Sequence, residues 1–154
     1  MKTLVAYFSA EGTTAKVAKA LAEKTGADLF EIVPDPPYSA ADIRWTNPLA
    51  RCNREKLTNK KIRIREKVEN FEEYELVLIG FPIWYGAAPN VVNSFCSEYD
   101  WSGTKVYAFA TSGGSKIGRT GEKLKPYING GLVVGAKLVQ SAVELFEIAE
   151  NLQV

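Results

Sequence analysis

Apolar residues occur along the chain in two alternating rhythms. Thr3 to Phe8 (TLVAYF) is a short apolar, β-prone run. Residues 13–25 then place Val17, Ala18, Leu21 and Ala22 at the i, i+1, i+4 and i+5 positions of an amphipathic helix, and Gly26 stands where such a helix closes. Residues 28–33 (DLFEIV) predict a second strand. Residues 75–80 (ELVLIG) predict a third, whose unbroken apolar run implies burial on both faces. A helix is expected over 90–99, a fourth strand over 104–111, and a helix from about Ser115 to Ile128, strained near its end by Pro126. A fifth strand over 132–139 and a final helix over 141–152 complete the pattern. Strands alternating with helices predict an α/β domain with a parallel sheet and right-handed crossovers, one domain over residues 1–154.

One connection breaks the rhythm. Between the second and third strands lie 41 residues, 34–74, opening with Pro34, Pro36 and Pro37. A plain crossover needs far fewer, so this stretch carries a long loop as well as a helix. Within it, residues 51–67 hold eight Lys or Arg against Glu55 and Glu66, a local charge of +6. That stretch reads either as a solvated helix face or as a docking patch for an acidic partner or a phosphate-bearing substrate.

Composition narrows the chemistry. Apolar residues make up 46% of the chain, enough for a packed core, and 19 basic against 18 acidic residues give a net +1. That balance gives no indication of nucleic-acid or membrane binding. With no apolar run of roughly 18 residues and no signal-peptide core, a cytoplasmic protein is expected. Cys52 and Cys96 show no CxxC spacing, and the chain contains no histidine. A Ser-His-Asp triad, a Cys-His pair and a His-ligated metal are thereby excluded. Any redox or acid/base chemistry is expected to come from a bound cofactor.

In a parallel sheet, ligands bind beyond the carboxyl ends of the strands, so three loops belong together. The first is Ser9-Ala10-Glu11-Gly12-Thr13-Thr14, with three hydroxyls, a glycine and the free N–H groups of the helix that follows. These are the parts of a phosphate site without a metal; the alternative is an ordinary helix cap, which needs only one hydroxyl. No GK[ST] pair and no GxGxxG pattern follows, which disfavours a Walker loop or a dinucleotide site. The first strand also ends without the acidic pair of a phosphoacceptor domain. The second loop runs from Gly80 to Pro89 and mounts Trp84 and Tyr85 between glycines and prolines, a rigid support for a flat ring or else two core aromatics. The third, Thr111-Ser112-Gly113-Gly114-Ser115, again allows close backbone approach. Together they describe a ligand with a phosphate at one end and a planar polar ring at the other: flavin mononucleotide (FMN), or a free mononucleotide.

With these motifs the chain resembles the flavodoxin family over nearly its whole length: a Ser-x-Thr-Gly-Asn-Thr-like phosphate loop, a Pro-x-Trp-x-Gly loop after the third strand and a Thr-Ser-Gly-Gly loop after the fourth. The resemblance implies a three-layer fold, a five-stranded parallel sheet of order 2-1-3-4-5 with helices on both faces, and non-covalent FMN carrying one or two electrons. It places Ser9, Glu11, Gly12, Thr13 and Thr14 around the phosphate. Pro82, Ile83, Trp84, Tyr85 and Gly86 would line one side of the ring, and Thr111, Ser112, Gly113 and Gly114 the other. No catalytic residue and no metal is implied.

The chain departs from that pattern in three respects. Glu11 stands where the family often has a small polar residue or Thr, and is expected to point outward, contributing only its backbone. Thr13 stands where Asn is common. The fourth-strand loop lacks the tyrosine that covers the outer flavin face in long-studied flavodoxins, which leaves room for a nicotinamide or a quinone. The expected function is electron transfer between redox partner proteins, a reductase and an acceptor enzyme. The alternative is a small FMN oxidoreductase using NAD(P)H and a quinone or similar acceptor.

Overall fold

The structure is a computed structural model that describes residues 1–44, 46–58, 61–112 and 116–154. Along the chain run β1 (Thr3–Tyr7), α1 (Thr13–Thr25), β2 (Asp28–Glu31), α2 (Arg51–Thr58), β3 (Leu76–Pro82), α3 (Asn90–Ser97), β4 (Lys105–Thr111), α4 (Thr120–Leu124), β5 (Leu132–Leu138) and α5 (Val143–Leu152). All five strands pair in parallel, in the order β2-β1-β3-β4-β5. This is the doubly wound sheet that the alternation and the resemblance led us to expect.

The continuous apolar runs of β1, β3 and β4 follow from burial on two sides. Successive side chains of a strand point to opposite faces. Leu4, Ala6, Val77, Ile79, Phe81, Val106 and Ala108 pack with Val91, Val92 and Phe95 of α3 and with Leu124 of α4. Val5, Tyr7, Leu76, Leu78 and Phe109 pack on the other face with Val17 and Leu21 of α1 and Leu145 and Ala149 of α5. Each large side chain so buried contributes about 1.5–3 kcal/mol, so a polar residue at any of these positions would be costly. Trp101 is fully buried, and its indole N–H donates to the Cys96 carbonyl at 2.8 Å. Cys96 is equally buried in the α3-side core, where burial pushes its thiol pKa up. Cys96 is thus a core residue.

Two elements differ from the sequence expectation. The second strand stops at Glu31, two residues early. Pro34 has no N–H to donate, and residues 33–35 turn to pair antiparallel with 63–65 instead. The helix expected over 115–128 is only the short α4, followed by a single 3-10 turn at Lys125–Tyr127. Gly118 sits at φ 49°, outside helical space, and Pro126 removes a donor where the helix would continue. Ser115, the expected start, lies outside the described residues. Among its described residues the 34–74 connection holds α2 and a 3-10 turn at Phe71–Glu73, as well as long irregular stretches. The basic stretch 51–67 is not a single helix face: it is α2 and then, from 61, a non-helical segment that bridges Pro34 at Ile64 and bends at Arg65. Among the described residues no helix is long and apolar enough to cross a membrane.

Candidate functional site

The loops after β1, β3 and β4 meet at one edge of the sheet. β1 ends where the Phe8 N–H donates to the Gly80 carbonyl at 2.9 Å. The Ser9 hydroxyl then accepts the N–H of Gly12 at 3.0 Å. Gly12 adopts φ 95°, a left-handed conformation that turns the chain into α1 and that only glycine takes without strain. The first helical bond runs from the Lys16 N–H to the Gly12 carbonyl at 3.2 Å.

No side chain caps α1, and its first turn holds no acidic residue. The N–H groups of Thr13, Thr14 and Ala15 have no partner among the described residues. The cap alternative therefore fails: Ser9 holds the turn, and the start of the helix keeps its donors. An α-helix N-terminus with free N–H groups carries a partial positive charge, roughly half an elementary charge, which suits an anion. Glu11 is exposed, as expected of a carboxylate beside such a position. Thr13 is exposed as well, and Thr14 is buried.

Thr14 ties this loop to the far side of the site. Its Oγ1 lies 2.7 Å from Oγ1 of Thr111, the last residue of β4. The Thr111 carbonyl in turn accepts the Ile83 N–H at 3.0 Å. One residue thus links the first, second and third loops. Ser112 follows, half-buried; Gly113 and Gly114 lie outside the described residues.

In the second loop Pro82 is half-buried and ends β3, and Ile83 is buried. Trp84 and Ala87 exchange backbone hydrogen bonds of 2.9 and 3.1 Å. Tyr85 and Gly86 occupy the corners, at φ 55° and 73°. Positive φ at both corners is the signature of a type I′ turn, which places a tyrosine where glycine or asparagine is usual. Lys123 braces the turn by donating to the Gly86 carbonyl at 3.1 Å. The Tyr85 ring is half exposed; partial burial, and then the neighbouring Cys52, push its phenol pKa up.

Trp84 is one wall of an aromatic corner. Its ring, that of Phe8 and that of Tyr38 lie edge to face, with each pair of centroids 5.6 Å apart. Tyr38 comes from the long connection, and α2 holds it there. Its hydroxyl donates to Glu55, and the Arg51 guanidinium lies 4.4 Å from its ring centroid. Arg51 also pairs with Glu55 at 2.9 Å and donates to the Pro36 carbonyl at 2.6 Å. Asn90, at the start of α3, donates to the Glu55 backbone carbonyl at 2.6 Å. Burial, and then the bond to Glu55, push the Tyr38 phenol pKa far up, so it remains a donor.

Tyr38, Arg51, Glu55 and Asn90 are site residues that the sequence reading missed. The available signal was the i, i+4 spacing of Arg51 and Glu55, which marks a helix pair. Both side chains are nearly buried, 14% and 12% exposed. Removing one partner of a buried pair costs several kcal/mol. Glu55→Ala is therefore expected to lower stability by about 3 kcal/mol in urea unfolding, while Glu55→Gln, which keeps an acceptor for Tyr38, should lose clearly less. Equal losses would mean that the acceptor atoms do not matter.

Between the first loop and the long connection lies an open cleft of about 470 Å³, bordered by Glu11, Tyr38, Ser39, Ile43, Arg44 and Thr46. Among the described residues no group of His, Cys, Asp and Glu could hold a metal ion.

A three-layer α/β domain with a donor-rich first loop beside an aromatic wall defines the class of flavodoxin-like proteins. The flavodoxin family model matches residues 2–153, and the chain belongs to that family. Among solved structures it is 36% identical to a candidate flavoprotein from Bacteroides eggerthii DSM 20697, with TM-score 0.89 and coverage of 99% of this chain and 98% of that one. A second candidate flavoprotein, from Bacteroides uniformis ATCC 8492, is 34% identical, with TM-score 0.87 and 97% of each chain covered. A flavoprotein from Lactobacillus acidophilus NCFM, solved in complex with FMN, shares the fold at 22% identity, with TM-score 0.75 and coverage of 95% of this chain and 98% of that one. No curated protein matches the chain.

Proposed function

We propose that this flavodoxin-family protein binds FMN and carries electrons between redox proteins. The observation that carries this reading is the start of α1. Three N–H groups without a partner among the described residues, and with no carboxylate in the first turn, open beside Thr111 and the Trp84 wall. The donor set suits a phosphate: neutral N–H and hydroxyl donors converge there, and each hydrogen bond to a charged group contributes about 1.5–3 kcal/mol. The FMN complex of the Lactobacillus acidophilus protein, which shares the fold, supports the same ligand.

FMN supplies one- or two-electron transfer when bound. Ser9, Gly12, Thr13 and Thr14 hold its phosphate. Pro82, Ile83, Trp84, Tyr85 and Gly86 flank the ring on one side, and Thr111 and Ser112 on the other. Glu11 contributes backbone only. The braced Tyr38–Trp84–Phe8 corner holds that wall in place.

A second reading is an FMN oxidoreductase that takes electrons from NAD(P)H. The open cleft beside the first loop supports it, because about 470 Å³ lies within the usual range for a small-molecule site. Anaerobic mixing of the yellow protein with NADH or NADPH separates the two. The carrier reading expects no bleaching of the flavin absorbance on the timescale of turnover. Rapid bleaching would replace it with the enzyme reading. A colourless protein that does not take up added FMN would remove both.

A further inference from the structure

We propose that residues 61–67 form a rigid cationic ribbon that docks an acidic patch on a partner protein. Ile64 bridges antiparallel to Pro34, and the chain bends at Arg65. Ile62 is buried and Ile64 half-buried against the α3-side core, while Lys61, Arg63, Arg65 and Lys67 are all exposed. The four cations recur at two-residue spacing along this short, bent stretch of surface. Glu66 is exposed between Arg65 and Lys67, where the in-and-out alternation ends.

The ribbon is fixed by its backbone rather than hanging as a loop. The Asp35 N–H donates to the Arg63 carbonyl and the Arg65 N–H to the Val33 carbonyl, both at 2.8 Å. The Ile62 N–H donates to the Ser94 hydroxyl at 2.8 Å, and the Val68 N–H to the Tyr99 hydroxyl at 2.9 Å. Ordering the backbone within the fold removes part of the entropy that docking would otherwise cost.

The charge is local, not global. The chain is +1 overall and residues 51–67 carry +6, which leaves −5 for all the rest. Arg51 is turned inward onto Tyr38 and Glu55, so it is not part of the exposed row. Among the described residues only Arg63 of the four has an ion pair, with Asp35 at 4.0 Å, and its side chain is 81% exposed. A row of like charges repels itself, and an opposing row of carboxylates relieves that repulsion. Complementary patches of this kind set encounter rate and orientation more than raw affinity. A protein surface fits better than nucleic acid or a membrane, because the −5 balance elsewhere repels an extended polyanion.

The inference rests on the carrier reading only for why such a partner exists. The test uses a fluorescent, Glu-rich peptide of about twelve residues and reads anisotropy with the flavin present and absent. Binding is expected at about 20 mM NaCl and should weaken about tenfold by about 150 mM. Arg63→Glu/Arg65→Glu should weaken it about tenfold or more, while Lys19→Glu/Lys24→Glu, at exposed positions on α1, should leave it within about twofold. Equal loss in both pairs would overturn the ribbon in favour of diffuse charge. Tighter binding of duplex DNA or phosphatidylserine vesicles than of the peptide would overturn the class of partner. Failure to bind FMN would remove the carrier reading and leave the peptide result standing.

Discussion

Gly80→Ala is expected to destabilise the fold by about 3 kcal/mol or more, lowering the melting temperature by about 10 °C. Gly80 sits in β3, in register with Tyr7 of β1 and Phe109 of β4. A Cβ placed there would lie 2.2 Å from both Cε2 and Cζ of Phe109. That ring is fully buried between the sheet and the α1–α5 layer, so it has nowhere to swing. The strand would have to shift instead. The Gly80 carbonyl receives the Phe8 N–H, so the shift would reach the first loop as well. Gly80→Ala combined with Phe109→Leu should recover part of the loss in urea unfolding followed by circular dichroism. An unchanged midpoint for Gly80→Ala alone would mean that the ring does not cover the glycine.

Thr14→Ala should have the second large effect, on ligand rather than on fold. The hydroxyl is buried and lies 2.7 Å from that of Thr111, which loses its partner in the variant. A lost neutral hydrogen bond costs the fold about 1 kcal/mol. A lost hydrogen bond to a phosphate costs about 1.5–3 kcal/mol, so FMN should bind about tenfold to a hundredfold more weakly. Riboflavin, which lacks the phosphate, should bind almost as it does to the wild type. Thr14→Ser keeps the hydroxyl and should behave closer to the wild type. Equal weakening of FMN and riboflavin would place the phosphate elsewhere.

Much of the fold was legible because the sheet is buried on both sides. The unbroken apolar runs at 3–8, 75–80 and 104–111 leave few alternatives to central parallel strands, and α1 with Gly26 has a helix stripe and stop that follow local rules. Strand order itself came with the family resemblance, not with periodicity. The misread elements are those that tertiary pairing decides. Residues 32–33 look like strand, yet Pro34 diverts the chain to a partner thirty residues on. The segment 115–128 has helix-forming composition, yet Gly118 and Pro126 leave only one turn and a 3-10 extension. The first loop could be read as a phosphate cradle from its hydroxyls and its glycine. What could not be read was that Ser9 holds Gly12 rather than capping the helix, or that Thr14 reaches Thr111. The aromatic corner was half visible. Trp84 stood out in its rigid loop, but Tyr38 and its brace, Arg51 and Glu55, come from a connection whose path no local pattern specifies. The same connection hid the cationic group: counted as a block of charge it read as a helix face or a docking patch, and only its path, α2 and then a non-helical segment from 61, separates Arg51, turned inward, from the four exposed cations.

The central claim is that the start of α1 and its three neighbouring hydroxyl residues hold the phosphate of FMN. The most direct measurement is titration of the flavin-free protein with FMN and with riboflavin, followed by quenching of flavin fluorescence. One FMN per chain is expected, held at least about a hundredfold more tightly than riboflavin, because several phosphate hydrogen bonds are lost without the phosphate. Equal affinities for the two flavins, or no binding of FMN, would contradict it.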